Sequence, residues 1–302
     1  MIPDYVYGCI SPVFTAFHED GRLDDDGQRS ILDYLLTTRA VSAYFVRSGL
    51  GQMYTFSFED VKQIARNACR HMAGKAPVMV GCAGIWDRNL DKKPDPAVFV
   101  RQAVELSQYA QEQGAAAVVH TMPEALEPTG NETTADVILR YFETINAAVS
   151  IPIFIYQPPA TDSRYYVTED LVRRLADIPN VKGMKLSSSS AETIFGITYA
   201  LRGRDFGYIV GCETAFLAGL MTGARACIGQ GATVNPQILK AVQDRYLNAD
   251  LEGAIEAQHS TNLLVYRSTN CVEFFKRWIT EKGFPVQPHD RLVTNNPYMS
   301  NR

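Results

Sequence analysis

Short apolar, β-rich runs alternate with longer stretches of helical spacing, and this alternation constrains the fold more than any other feature. The runs are "ISPVFTAF" (10–17), "SAYFVRS" (42–48), "APVMVGC" (76–82), "AAAVVHTM" (115–122), "IPIFIYQ" (151–157), "VKGMKLS" (181–187), "FGYIVGC" (206–212) and "ARACIGQ" (224–230). Between them, "DDDGQRSILDYLLTT" places Ile31, Leu32, Leu35 and Leu36 on one stripe. "DPAVFVRQAVELSQYAQEQG" does the same with Val100, Ala103, Val104 and Ala110, and offers Gly114 as a C-terminal stop. "TEDLVRRLADIPN" opens on a Thr-Glu-Asp cap signal. Strand–helix alternation implies a parallel sheet. Eight units within roughly 235 residues suit a closed (β/α)8 TIM barrel better than an open doubly wound sheet. The G-x-G-x-x-G of a dinucleotide fold is absent after the first run, where "TAFHEDGRLD" stands. The barrel core through strand eight is expected over 1–235. Residues 236–302 are expected to hold the eighth barrel helix and a C-terminal helical extension of the same domain, from "PQILKAVQDRYLNAD", "LEGAIEAQHSTNLLVYRST" and "VEFFKRWITEKG". "GIWDRNLDKKPDP" (84–96) reads as a long polar loop after the third strand, with its role open between function and simple insertion.

Charge narrows the partners. The formal net charge is −4, which argues against the clustered basic footprint of a nucleic-acid binder. A small anionic substrate stays compatible, because a local site can be positive on an acidic protein. The six cysteines are scattered without C-x-x-C spacing and read as buried free thiols in a reducing compartment. The five histidines lack paired metal-ligand spacing, so no metal site is expected. No signal peptide or membrane-spanning run is evident, and the cytoplasm is the expected location, with no membrane partner.

In an α/β barrel the active site forms where the strands end. Strand six ends in "MKLSSSS". Val181, Gly183 and Lys185 share one face there, so Lys185 is an ammonium at the end of an inward-facing apolar row. Desolvation lowers a lysine pKa, and a partly neutral lysine can attack a ketone to form a Schiff base. A lysine snorkelling to the rim is the competing reading. Strand five ends in Tyr156, the last inward residue of its run. The two adjacent strands would set a phenol and an amine at one depth, where the phenol can shuttle protons to a carbinolamine. An inward tyrosine alone is more ordinarily a core residue with a satisfied hydroxyl.

At this point the residues resemble those of the dihydrodipicolinate synthase / N-acetylneuraminate lyase family of class I aldolases and dehydratases. "GCISPVFTAFHEDGRLD" is similar to its opening strand and D-G-x-x-D turn, and "SGLGQMYTFSFED" to its G-x-x-G-E loop. "IPIFIYQPP", "VKGMKLSSSS" and "GARACIGQGATVNP" resemble its tyrosine strand, its lysine segment and its late G-x-x-G-x-I turn. The resemblance covers nearly the whole chain. It implies that Lys185 is the Schiff-base residue and Tyr156 the catalytic tyrosine, with no cofactor beyond the covalent imine. It also implies a homo-oligomer, a dimer or tetramer.

Departures from the family pattern limit what carries over. The loop after strand two, which binds a 2-oxo acid carboxylate in the family, has Gly49 and Leu50 where the family has hydroxyl residues, and Gln52 for its glutamate. Backbone amides at Gly49 and Leu50 can still bind an anion, and Ser48, one residue early, is the candidate hydroxyl. Arg47 reads as structural, facing the helices. The Pro-Tyr-Tyr that carries a relay tyrosine in dihydrodipicolinate-forming members is "MPEAL" here, and Glu124 reads as an exposed loop residue. The arginine that such members use on the second substrate is missing from "PPATDS", with Thr161 and Arg164 nearby. Ser189 or Ser190 would cap the sixth helix. Ser187 and the strand-eight end, Ile228, Gly229 and Gln230, are candidate substrate contacts. The expectation is a Schiff-base lyase, aldolase or dehydratase, acting on pyruvate or another 2-oxo acid. The alternatives are 4-hydroxy-tetrahydrodipicolinate synthase proper and a non-catalytic 2-oxo acid binding protein on the same scaffold.

Overall fold

The computed structural model describes residues 1–267 and 271–291. Eight parallel strands close in sequence order into a barrel: β1 (Gly8–Pro12), β2 (Val41–Val46), β3 (Val78–Gly81), β4 (Ala117–Thr121), β5 (Ile153–Gln157), β6 (Val181–Leu186), β7 (Gly207–Val210) and β8 (Ala226–Cys227). Around it lie α1 (Asp25–Thr37), α2 (Phe58–Met72), α3 (Pro96–Glu112), α4 (Thr134–Ala148), α5 (Glu169–Ala176), α6 (Ala191–Ala200) and α7 (Phe216–Thr222). A one-turn helix α8 (Gly231–Val234) precedes α9 (Pro236–Leu247), α10 (Leu251–Arg267) and α11 (Cys271–Glu281). The sequence expectation for 236–302 falls partly outside the described residues, at 268–270 and 292–302.

Two apolar layers result from the period-two alternation of the strands. Ile10, Ala43, Phe45, Met79, Ala117, Val119, Phe154, Tyr156 and Ile209 fill the barrel interior. The alternate residues, such as Tyr44, Val46, Val118, Ile155 and Met184, pack against the helices. Gly183 is required by this interior. A Cβ there would lie 2.4 Å from the Gly207 carbonyl oxygen and 2.8 Å from the Phe154 ring, so the missing side chain makes room for phenylalanine from the preceding strand.

The helix starts follow local chemistry. Thr168 caps α5 and Ser190 caps α6, each accepting a backbone amide three residues on. Ser57 with Asp60 and Thr133 with Asp136 form reciprocal capping boxes on α2 and α4. Gly114 takes a φ of 87° just past α3.

Two strand boundaries differ from the expected ones. The first run leaves the sheet after Pro12, although Val13, Phe14 and Phe17 stay in the core. Phe17 instead bridges to Leu23 and His289. The eighth strand spans only Ala226 and Cys227; the Ile228 amide adds one bond to the Val210 carbonyl before the chain enters α8 at Gly231.

Candidate active site

Lys185 and Tyr156 are register partners across β5 and β6 at the C-terminal end of the barrel. The Lys185 Nζ lies 4.0 Å from the centroid of the Tyr156 ring. Lys185 is 6% exposed and Tyr156 is fully buried. Burial disfavours the ammonium and lowers the Lys185 pKa to about 7, against an upward pull from Cys227, Glu213 and Cys212. An amine with that pKa is substantially neutral near physiological pH, which is what a nucleophile for a carbonyl needs. Burial drives the Tyr156 phenol well above its ordinary value, with Tyr54 adding to the rise and the Ser187 hydroxyl and Arg88 opposing it. The Tyr156 phenol is therefore protonated, and Ser187 sits beside it.

The loop after β2 is closed by hydrogen bonds of its own. The Ser48 hydroxyl donates to the Val13 carbonyl (3.2 Å) and accepts from the Gly51 amide (2.9 Å). Its one proton is thus committed within the loop, and Ser48 shapes the turn. Among the described residues the Gly49 and Leu50 amides have no hydrogen-bond partner, leaving two adjacent donors for a carboxylate. Gln52 adopts a left-handed φ of 65° and turns its side chain away, accepting from the Arg291 amide. Arg47 is buried and donates to the carbonyls of Gly81 and Ala83.

At the end of β8, Ile228 belongs to the interior cluster that holds Tyr156. Gly229 packs against Glu213, where a Cβ would meet the carboxylate. The buried Nε2 of Gln230 has no partner among the described residues. The Thr161 hydroxyl donates to the Pro158 carbonyl, and the Arg164 guanidinium turns outward to Asp162 and Glu127.

Glu124 corrects the sequence reading. It is 3% exposed, and both its oxygens accept from Arg88 Nη2, at 3.2 and 3.0 Å. The Asp162 amide adds a third bond at 2.8 Å. A buried carboxylate persists because the guanidinium neutralises it. Arg88 comes from the 84–96 loop with a φ of 61°, and it also bonds to the carbonyls of Pro159 and Ala160. The loop thereby ties the ends of β3, β4 and β5 together.

Sequence reasoning missed three residues. Arg88 lay inside the loop already singled out, but nothing in its neighbourhood marked its long-range partner. Tyr54 sits in the turn after β2, a strand end like the others. Glu213 directly follows β7; it is buried, accepts from the Gly231 amide at 2.8 Å, and its carboxyl pKa is raised by burial, with Lys185 pulling it back. Scanning every strand end for acidic residues would have found it.

The chain as a whole has parallels among known proteins. The model of the dihydrodipicolinate synthetase family matches residues 5–292. YagE of Escherichia coli K12, a provisionally assigned 2-dehydro-3-deoxy-D-gluconate aldolase, is 27% identical over 289 residues, covering 93% of this chain and 89% of its own. The crystal structure of YagE in complex with pyruvate superposes with a TM-score of 0.80 at 26% identity, over 98% of this chain and 95% of that one. A 4-hydroxy-tetrahydrodipicolinate synthase of Aromatoleum aromaticum is 26% identical over 234 residues, covering 78% of this chain and 73% of its own. N-acetylneuraminate lyase of Mycoplasma synoviae, at 20% identity, shares the fold with a TM-score of 0.77, over 99% of this chain and 98% of that one.

Proposed function

Because the chain belongs to the dihydrodipicolinate synthetase family, and is a lyase of its class I aldolase type, we propose that Lys185 forms an imine with pyruvate or a related 2-oxo acid. The observation that carries this is a buried amine with a pKa near 7 set 4.0 Å over the ring of a buried, protonated tyrosine. Neutral Lys185 attacks the ketone carbon. Tyr156 gives a proton to the departing carbinolamine oxygen, and water leaves. The resulting iminium withdraws electrons from the adjacent carbon, so a carbon–carbon or carbon–oxygen bond one atom further on can break or form. The Gly49 and Leu50 amides hold the carboxylate throughout, and Ser187, Ile228 and Gln230 line the bound chain.

The substrate reading is aldol cleavage and condensation, or dehydration, of a 2-oxo-3-deoxy acid. The pyruvate complex of YagE supports the pyruvate half. Tetrahydrodipicolinate synthesis is the weaker alternative, since no arginine side chain from "PPATDS" enters the site and Arg164 faces outward. The free thiols suit a cytoplasmic enzyme. No helix among the described residues is long and apolar enough to cross a membrane. A homo-oligomer with each site complete in one subunit is the expected assembly.

The test is a panel of 2-oxo acids, each incubated with the enzyme and borohydride and read by intact mass. One covalent adduct per chain with pyruvate, and graded adducts across the panel, support the reading. A panel that leaves the mass unchanged points to a binding protein.

A further inference from the structure

Arg47, directly after β2, is a buried cation without a carboxylate among the described residues. It is 3% exposed, and its guanidinium donates to two carbonyls, those of Gly81 (3.2 Å) and Ala83 (2.6 Å). Its Nε is buried and has no partner among the described residues. Burial pulls its pKa down to about 10, which still leaves it charged at neutral pH. Carbonyl dipoles answer part of a guanidinium's charge, but a buried charge ordinarily has a counter-ion as well.

The backbone there is strained. Arg47 has a φ of 49°, in the left-handed region that an L side chain rarely adopts, and Arg88 shares that region with its φ of 61°. Strain of this kind persists where the surroundings hold it, and ligand clamps are such places. The two arginines line one cavity of about 20 Å³, together with Tyr54, Trp86, Thr121 and Glu124. That is room for a single water or a monatomic ion of similar size. The Tyr54 hydroxyl is buried and, with its pKa raised by burial to about 12, protonated. Like the Arg47 Nε, it has no hydrogen-bond partner among the described residues. Glu124 is the one acid in the lining, and its oxygens already accept from Arg88 and from the Asp162 amide. The balance around the cavity is two guanidinium charges against one carboxylate, with two donors unused.

We infer that this cavity binds one small monovalent anion of halide size, which accepts from the Arg47 Nε–H and the Tyr54 hydroxyl and neutralises Arg47. A water molecule could accept from both donors but would leave the charge unanswered; an anion does both. The bound ion joins the end of β2 to the turn Met53–Thr55 and to the 84–96 loop, which supplies Trp86 and Arg88. Its occupancy therefore firms that loop. The inference stands apart from the imine reading, because no step of that chemistry passes through the cavity.

Bromide is the probe, because it scatters anomalously. The enzyme is first dialysed into sodium methanesulfonate, whose anion is too bulky for the cavity. Exchange into bromide at constant ionic strength should raise the melting temperature saturably, by about 2 °C or more at full occupancy, and slow amide exchange at residues 84–88. Anomalous maps from bromide-soaked crystals should place one ion between Arg47 and Tyr54. Arg47→Met replaces the cation with an uncharged chain and should lose both the increment and the ion. Arg101→Met, at an exposed position on α3, should keep both. An ordered water in the cavity and no bromide peak overturns the inference, as does an equal increment in Arg47→Met. A peak at soaking concentration without a saturable shift in solution marks an adventitious ion only, and overturns it too. If Arg47→Met does not fold, the wild-type maps and the wild-type exchange from methanesulfonate to bromide decide alone.

Discussion

Lys185 carries an electrostatic cost that is itself measurable. Its folded pKa of about 7 lies below the ordinary 10.5, so between these values the unfolded chain holds a proton that the folded chain has given up. Lys185 therefore penalises the fold fully below pH 7, and the penalty fades as pH rises toward 10.5. Lys185→Met should be more stable than wild type in thermal melts at pH 6, with the gap closing toward pH 10; a gap independent of pH would mean that the amine is not desolvated. The same depression predicts that the initial rate of imine formation climbs through a midpoint near pH 7. For Tyr156→Phe the expectation is a turnover loss of order 10²-fold or more, with trapped imine reduced far less. Equal turnover would make Tyr156 a core residue. Lys185 and Tyr156 were legible in the sequence because each ends an inward row whose period is two, and register then does the rest. Glu124 was not. A glutamate after a strand is ordinarily solvated, and only Arg88, 36 residues earlier, makes its burial tolerable.

Strands and helices divide along the same line between local and distant causes. The alternation, the stripe of Ile31, Leu32 and Leu35, and the cap at Ser190 are local, and all of them are present as read. The ends of β1 and β8 were misjudged because apolar residues there serve the core without pairing; periodicity reports burial and is silent about hydrogen bonding. The 84–96 loop read as polar and irregular, yet it holds the ends of three strands through Arg88. Arg88→Met would leave Glu124 buried and uncompensated. That should cost about 3–5 kcal/mol in denaturant unfolding and raise amide exchange across 84–96; unchanged exchange there would remove the loop's anchoring role. Gly183→Ala tests the barrel interior. The added methyl meets backbone at Gly207 and the Phe154 ring, and should destabilise by about 1–3 kcal/mol. A neutral result would show that Phe154 has room to move.

The molecule closes on itself through its C-terminal part. Lys276, fully buried on α11, donates to the His289 carbonyl and to Asp290, and Arg291 bonds both Asp60 oxygens and the carbonyls of Gly21 and Thr55. Helical spacing made α11 legible, but the strap from Phe284 to Arg291, which returns to the loops after β1 and β2, leaves no periodic trace. Asp290→Ala removes a carboxylate that accepts from the buried Lys276 ammonium and should lower stability, read from the unfolding midpoint; no shift would mean the strap is ornamental to the fold. The Gln52–Arg291 bond joins this strap to the loop that offers Gly49 and Leu50, so barrel, strap and site form one unit. The most direct test of the whole account follows one bond in that unit. Enzyme treated with pyruvate and borohydride is digested, and the modified residue is located by peptide mass spectrometry, with Lys185→Met run beside it. The account predicts a reduced pyruvate adduct on Lys185 in the wild type and none anywhere in the variant. Label on another lysine, or label that survives in Lys185→Met, would contradict it.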